Sequence, residues 1–318
     1  MDAAVQFPTS PKAVTARKVK LSRRMNVEEA FAVIFSNCIQ QVQDNDIGVA
    51  KFHDVECLHQ MRVGLRRLRS ALAMFDEVLS LPEPLRADLD WLVEELGPAR
   101  DWDVLAGTTL AKVESALPMA LPIPGVQAGP LAELKLAAFD KTHALHAGAA
   151  AAVGSQRYVK CMLALQNWVS GKGWRLALVP GDKTKLKMRV GAFARAILEQ
   201  DQRRLLKRGR KLVHASDEAR HRVRIAAKKT RYAAEFFGAL YPKRKVRPYV
   251  KALSTLQDDL GAMNDAAVAE RLLAELVDDK PALQASAAFV RGYLAGNVQQ
   301  GKASLRRHWK QFAARMPP

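Results

Sequence analysis

The sequence predicts an all-α protein built from two four-helix bundles, and three observations lead to this fold class. Apolar residues make up 49% of the 318 residues and aromatic residues only 7%, with little strand-like alternation. Apolar residues instead recur at helical spacing along much of the chain. In addition, a basic helical motif that begins at His59 returns at His221, which divides the chain into two related halves.

The first helix of each half is predicted from about residue 21 to 43 and from about residue 185 to 207. Apolar residues recur in both segments at the spacing of one helix face. Three pairs fit a single offset of 163 residues: Met25 and Met188, Val27 and Val190, and Ile34 and Ile197. The preceding residues 1–20 contain prolines and several basic residues, and we predict that they form a flexible basic arm.

The second helix, predicted from about residue 54 to 81 and from about residue 216 to 241, carries the basic motif. Asp54 and Ser216 are favourable N-cap residues for it. On a helical projection, four residues of each copy share one face beside an apolar stripe: His59, Arg62, Arg66 and Arg69, and then His221, Arg224, Lys228 and Arg231. Like charges at this spacing destabilise an isolated helix by roughly a few tenths of a kcal/mol per pair. Their presence in two copies therefore favours an extended anionic ligand.

The third helix is predicted from about residue 84 to 117 and from about residue 246 to 277, and it contains a second match between the halves. Leu-Gly-Pro-Ala-Arg-Asp at residues 96–101 corresponds to Leu-Gly-Ala-Met-Asn-Asp at residues 260–265, an offset of 164. Arg100 is the residue of this match expected to face an anion. Asp101, Asp103 and Asp265 would repel the ligand, so their expected role is to orient motif arginines.

Other basic residues form a second tier of candidate contacts. Arg67 and Lys229 belong to the motif but project away from its shared face. The complete second tier is Arg24, Arg67, Arg100, Lys187, Arg189 and Lys229.

A fourth helical region is predicted over residues 131–174 and 281–315, with a linker between the halves at residues 179–184. Two sets of four helices joined by short loops indicate two bundles, at residues 21–178 and 185–318.

The net charge of +18 is distributed unevenly. Residues 1–182 contain 20 basic and 20 acidic residues, whereas residues 183–318 contain 30 basic and 12 acidic residues. The second half would therefore supply the long-range positive field that attracts a polyanion, while the first half carries a basic stripe on a neutral body.

The sequence lacks the motifs of several enzyme classes, including a P-loop, a dinucleotide fingerprint and a nucleophile elbow. We therefore expect a binding protein with no cofactor. Asp140, His143 and His146 form only a loose metal pattern, so no metal site is predicted. The three cysteines have no paired spacing, and neither a signal peptide nor a membrane span is recognisable. A cytoplasmic protein is expected.

The motif residues also have interpretations other than anion binding. A basic helix face is often only solvated surface, although its duplication argues against this here. His59 and His221 are interpreted as anion ligands, with a packed core histidine and a phosphoryl acceptor as alternatives.

The motifs together resemble the CHAD family, the conserved histidine α-helical domain. The resemblance rests on His-x-x-Arg-Val-x-x-Arg-Arg-x-Arg from His59, on its second copy ending Lys-Lys-x-Arg-Tyr at Tyr232, and on Leu-Gly-x-x-Arg-Asp-x-Asp from Leu96. It implies two bundles related by a pseudo-two-fold axis, with the motif helices lining a basic central cavity. Asn264 departs from the pattern because an arginine is expected beside Asp265.

The same resemblance implies that the protein binds inorganic polyphosphate and associates with polyphosphate granules in a bacterium, with granule-associated proteins as candidate partners. Its implied contacts are the eight residues of the shared motif faces. The Glu-x-Glu-x-Lys motif of the enzyme domain often fused to this family is absent, so a stand-alone binding domain is expected. The alternatives are a non-specific nucleic-acid binder and, less favoured, a phosphoryl-transfer enzyme that uses a histidine acceptor.

Overall fold

The computed structural model describes residues 11–116, 131–178, 180–212 and 215–318. These residues are predominantly helical and contain no strand beyond an isolated antiparallel bridge between Asn26 and Arg189. The all-α prediction is confirmed. None of the helices in these ranges has the length and apolar character needed to cross a membrane.

The described residues of the first half form seven helices, with a π-helical segment between the fourth and the fifth. They are α1 (Val27–Gln43), α2 (Asp46–Phe52), α3 (Val55–Phe75), α4 (Glu83–Asp103), the π-helical Val104–Thr109, α5 (Leu110–Ser115), α6 (Ala132–Val153) and α7 (Gln156–Ser170).

The second half contains longer and less interrupted helices. They are α8 (Pro180–Lys187), α9 (Val190–Gly209), α10 (Asp217–Phe236), α11 (Lys243–Asp279) and α12 (Gln284–Ala313). Short 3₁₀ turns lie at Gly173–Ala177, Gly238–Leu240 and Pro281–Leu283.

The motif helices begin at the two predicted caps. The Asp54 side chain accepts a hydrogen bond from the Cys57 amide at 2.7 Å, and the Ser216 hydroxyl accepts one from the Ala219 amide at 3.3 Å. Each bond satisfies a backbone N–H that has no partner within its helix. Both helices end earlier than predicted, at Phe75 and Phe236.

The segments that precede α1 and α9 pair with each other in a symmetric way. The Val27 amide donates to the Met188 carbonyl at 3.0 Å, and the Val190 amide donates to the Met25 carbonyl at 3.0 Å. The offset of 163 residues exchanges these two bonds, as a local two-fold relation requires. The Phe75 and Phe237 rings, which the motif offset relates, have centroids 6.4 Å apart.

The apolar core runs through both halves. Phe31, Phe75 and Phe237 belong to one cluster, and the Phe193 ring packs against it with its centroid 4.9 Å from that of Phe75. A second, smaller cluster joins α5 and α6 to α11 and α12. The two halves therefore share buried apolar surface, which fixes the relative position of α3 and α10.

The predicted N-terminal arm and the predicted linker between the halves both have more structure than expected. Of the predicted flexible arm, residues 11–20 lie against the body, where the Val14 amide donates to Asn45 Oδ1 at 2.9 Å and Arg17 pairs with Asp44 at 3.0 Å. Residues 1–10 lie outside the described residues. The predicted linker is helical from Pro180 onwards, because proline fits the first turn of a helix.

Candidate anion-binding site

Helices α3 and α10 pack side by side and bring the two motif copies together. The Arg67 guanidinium lies 5.2 Å from the centre of the Phe236 ring, and Phe75 meets Phe237 at the carboxyl ends of the helices. The charge of Arg66 on α3 is close enough to lower the pKa of Lys228 on α10. Arg66 and Lys228 occupy equivalent positions of the two motif copies, so the local two-fold relation exchanges them. The centre of the site therefore lies between these two side chains.

Lys228 is the most perturbed cation of the site. Its pKa is lowered to about 7, mainly by burial and then by the charges of Arg224 and Arg66, while Asp265 acts in the opposite direction. Half-buried cations at this spacing repel one another in the free protein. A bound anion would remove that repulsion and hold Lys228 in its charged form.

The arginines beside Lys228 are also partly withdrawn from water. Burial, followed by the nearby charge of Arg66, lowers the pKa of Arg62 to about 10. The Arg62 Nη1 group donates to the Val93 carbonyl at 3.3 Å. Burial also lowers the pKa of Arg224, although Asp265 opposes this shift. Taking these guanidinium groups out of water costs free energy that an anionic ligand would offset.

Four buried nitrogen atoms of the site have no hydrogen-bond partner among the described residues. They are His59 Nδ1 and the Nε atoms of Arg62, Arg66 and Arg224. Three other arginines in the described parts of the chain also have an unpartnered Nε, so one such atom indicates little by itself. The concentration of four in one cluster marks a place where an acceptor-rich ligand would satisfy several donors at once.

Carboxylates border this cluster without neutralising it. Asp265 Oδ1 lies 3.9 Å from Arg224 Nη2, and Asp101 Oδ2 lies 3.4 Å from the guanidinium of Arg271. Burial raises the pKa of Asp101, while Arg62 and Arg271 lower it. These contacts are compatible with the predicted orienting role of the two aspartates.

The two motif histidines have different surroundings. Burial and the nearby charge of Arg100 lower the pKa of His59, which is half-buried. His221 is exposed, and its Nδ1 atom lies 2.9 Å from Asn264 Oδ1. His221 also lines a cavity of about 430 Å³ together with Arg222 and Arg271.

The last arginine of each motif copy is engaged by other side chains. Arg69 lies 3.3 Å from Asp90. Arg231 pairs with Glu235 at 2.9 Å and donates to Gln257 at 2.9 Å. A ligand that reached this end of the motif would have to compete with these partners.

Several second-tier residues lie away from the cluster. Arg67 is buried and donates to Gln41 and Asn37 of α1 at 2.6 and 2.9 Å, so it joins helices rather than facing a ligand. Lys229 is directed to α9, where burial raises the pKa of Asp201 and the charge of Lys229 opposes this rise. The helical period explains both positions, because each residue lies beside the shared face of its motif.

The remaining second-tier residues fall into two groups. Arg100 is close enough to influence His59 and Arg62 and belongs to the site. Arg24, Lys187 and Arg189 are exposed near the starts of α1 and α9, beside the carboxyl ends of the motif helices and away from the central cluster.

Two structural features of the site were not predicted from the sequence. Arg271 links α11 to Asp101 on α4, but its counterpart in the repeat is Gly107, so the repeat gave no signal for it. Gly97 and Gly261 lie against motif arginines: a Cβ atom on them would be 3.5 Å from Arg62 Nη1 and 3.8 Å from Arg224 Nη2.

The loose metal pattern does not form a ligand cluster. His146 is buried, and its Nε2 atom lies 2.7 Å from Asp103 Oδ1. The parts of the chain described here contain no group of three or more His, Cys, Asp or Glu side chains arranged to hold a metal ion. Asp103 thus contacts a histidine of α6, and its charge also acts on Arg62, whose pKa it raises against the larger effect of burial.

Comparison with known proteins adds to these observations. The family model described as "CHAD domain" matches residues 33–274. The crystal structure of the CHAD domain from the plant Ricinus communis superposes with a TM-score of 0.82 and 36% identity, covering 96% of this chain and 98% of that one. PptA from Streptomyces chartreusis superposes with a TM-score of 0.66 over 90% of this chain and 99% of that one, but at 17% identity it supports only the fold. No curated protein matches the chain.

Proposed function

The chain belongs to the CHAD domain family, and from this premise we propose that it binds inorganic polyphosphate through the cationic cluster between α3 and α10. The observation that carries the proposal is the set of four buried, unpartnered nitrogens in one cluster. Polyphosphate offers closely spaced anionic oxygens along a flexible chain, so one ligand can accept hydrogen bonds from all four.

The composition of the cluster suits phosphate in particular. An arginine guanidinium binds phosphate oxygens with two parallel hydrogen bonds, whereas lysine acts as a mobile point charge. Arg62, Arg66 and Arg224 would supply the first kind of contact and Lys228 the second. From His59 to Arg69 the α3 face extends about 15 Å along its axis, a length that favours an extended ligand over a single phosphate ion.

The proposed activity is binding without a chemical step. His59 is surrounded by Arg62, Arg66 and Arg100, which would hold the phosphate oxygens beside it. Phosphoryl transfer to a histidine is the rival function, and incubation with labelled phosphate donors tests it directly. Label on His59 or His221 would replace the binding proposal with an enzymatic one.

Nucleic acid is a secondary candidate ligand, favoured by the net charge of +18. Binding of single strands usually relies on aromatic side chains that stack with the bases. The aromatic residues on the α10 side of the site, Tyr232 and Phe236, are both buried. These two rings are thus not available for base stacking. In addition, the repulsion among the central cations favours a ligand with a higher charge density, which is polyphosphate, and competition between the two polymers tests this preference.

In a cell that stores polyphosphate, this binding would bring the protein to polyphosphate granules in the cytoplasm and near other granule-associated proteins. A fluorescent fusion would then co-localise with granules, whereas the same fusion with a disabled site would stay diffuse. Equal granule association of both fusions would overturn this part of the proposal.

The experiment that tests the site replaces one central arginine in each half, Arg62→Ala with Arg224→Ala. Affinity for long-chain polyphosphate should fall more than about tenfold, because each charge-assisted hydrogen bond contributes roughly 1.5–3 kcal/mol. Helical content, measured by circular dichroism, should not change. The matched control is Arg306→Ala with Arg307→Ala, which removes the same charge from exposed positions on α12 and should change affinity less than about threefold. Equal affinities of the two double variants would overturn the site assignment.

A further inference from the structure

A second cation-lined cavity lies beside α9, outside the motif site. Its volume is about 960 Å³, and it is bounded by α9, the turn between α10 and α11, and residues 316–318. Five basic side chains line it: Arg23, Arg189, Arg195, Arg203 and Lys245. This volume is at the upper end of the range typical of small-molecule sites.

The positive charge of the cavity is largely uncompensated. Glu199 is the one carboxylate side chain among the lining residues, and it lies 3.7 Å from Arg203. Arg23 donates to the Leu240 carbonyl at 3.1 Å, which leaves its charge in place. Arg195 and Lys245 form no ion pair within the described ranges.

Two further features of the lining favour an anion. The Tyr241 hydroxyl is buried and has no hydrogen-bond partner among the described residues. Helix α11, which is 37 residues long, begins at Lys243 with no side-chain cap and no acidic residue in its first turn. The positive end of this helix adds to the charge of Lys245, which lies in that turn.

The basic lining is not a consequence of the internal repeat. At the offsets that relate the halves, the five cations correspond to uncharged residues: Leu186, Asn26, Ala32, Gln40 and Leu81 for Arg23, Arg189, Arg195, Arg203 and Lys245 respectively. The first half therefore has no counterpart of these five basic side chains, and the charge of the cavity calls for an explanation other than symmetry.

The cavity is separated from the motif site by the apolar core. Phe75, Phe193 and Phe237 pack together near the carboxyl ends of α3 and α10. Leu198, which is buried in the same core cluster, lines the cavity. A ligand held here would thus occupy a distinct site.

We propose that this cavity is a second anion site that binds an oligophosphate group, with Arg195 and Lys245 as its principal contacts. Guanidinium, ammonium and phenol hydroxyl groups together provide the donors that phosphate oxygens accept from. The apolar part of the wall, formed by Leu198, Leu206 and Leu240, leaves room for an organic group attached to the phosphates. The ligand could therefore come from inorganic polyphosphate or from a nucleotide.

The test measures binding of tripolyphosphate and of ATP by calorimetry, using the full chain with the motif site disabled by Arg62→Ala and Arg224→Ala. We expect about one tripolyphosphate or ATP molecule to bind per chain in this background. Adding Arg195→Ala and Lys245→Ala, both at exposed positions, should weaken that binding by about tenfold or more. Adding Arg306→Ala and Arg307→Ala instead should leave it within about twofold.

The outcomes separate this proposal from the function of the motif site. Loss of binding on changing the cavity pair, but not on changing the control pair, supports the second site, and the ratio of the two affinities identifies its source. A preference for ATP indicates an organic phosphate, and equal or tighter binding of tripolyphosphate indicates inorganic polyphosphate. No binding of either ligand at millimolar concentration, or equal losses in both pairs, overturns the second site. Failure of the motif site would instead appear as undiminished polyphosphate binding by the Arg62 and Arg224 variant.

Discussion

The two copies of the basic motif have the same spacing but different surroundings. On α3, His59 is half-buried, has an unpartnered Nδ1, and lies near the extra cation Arg100. On α10, His221 is exposed and contacts Asn264, the residue that stands in place of that arginine. The first half of the chain has no net charge, yet its copy has the additional nearby cation and the unpartnered histidine nitrogen.

This difference separates two roles that the overall charge does not distinguish. The second half supplies the long-range field, because its basic residues are numerous and mostly exposed. The first half supplies donors that are withdrawn from water and lack partners. We therefore expect substitutions on α3 to affect the strength of the complex more than matching substitutions on α10.

The largest effect is expected at the point where the copies meet. The charge of Arg66 lowers the pKa of four site residues, which are His59, Arg62, Arg224 and Lys228. Arg66→Glu would therefore place a negative charge close to all four. Affinity for polyphosphate should fall about 100-fold, since such a reversal costs several kcal/mol. Arg231→Glu, a reversal of the same size at the outer end of the motif, should cost clearly less. Equal losses of polyphosphate affinity for the two variants in a binding titration would contradict the placement of Arg66 at the centre of the site.

A smaller effect should distinguish the histidines. His59→Ala removes a buried donor with no protein partner, and it should lower affinity about tenfold, which corresponds to about 1.4 kcal/mol. His221→Ala removes an exposed side chain that already contacts Asn264 and should lower affinity less than about threefold. The same titration checks both variants, and a larger loss at His221 would reverse the assigned order of the copies.

The pH dependence of binding reports on Lys228. Its pKa in the free protein is about 7, and a bound anion raises it, so the complex takes up a proton when binding occurs above this pH. Affinity should be highest below pH 7 and should fall about fivefold from pH 7 to pH 8. In Lys228→Arg the side chain stays charged throughout, so this part of the dependence should vanish. If the affinity of the Lys228→Arg variant depends on pH in the same way as that of the unmodified protein, a group other than Lys228 is responsible for the pH dependence.

The smallest expected effect comes from exchanging the residues that distinguish the copies. Arg100→Asn removes the additional cation near His59 and should weaken binding about threefold, because a cation at this distance contributes under about 1 kcal/mol. Asn264→Arg adds the corresponding cation near His221 and should strengthen binding by a similar factor. If neither variant changes the affinity, Arg100 does not account for the difference between the copies.

The sequence predicted the centre of this site better than its edges. Helical spacing and duplication were sufficient to select Arg62, Arg66, Arg224 and Lys228, because a face repeated in two related helices is brought together by the symmetry of their packing. The sequence could not exclude Arg67, whose partners Asn37 and Gln41 lie on a different helix. Such contacts depend on tertiary packing and leave no local pattern.

The all-α fold was likewise predictable from apolar periodicity, whereas the helix ends were not. The predicted motif helix extends to Leu81, but α3 ends at Phe75 and the chain then turns towards Pro82. Val78, Leu79 and Leu81, which follow Phe75, are buried, so apolar positions continue beyond the helix. Only the packing of this turn against the core sets the helix end.

Selection of polyphosphate by a shaped cationic site can be measured in one titration series. Long-chain polyphosphate, single-stranded nucleic acid and double-stranded nucleic acid are titrated into the protein at several salt concentrations. Binding of each weakens with salt as counterions are released, but we predict that polyphosphate binds much more tightly than either nucleic acid and remains bound at physiological salt. Equal affinities for the three polymers that are lost together as salt increases would contradict the account and indicate a generic basic surface.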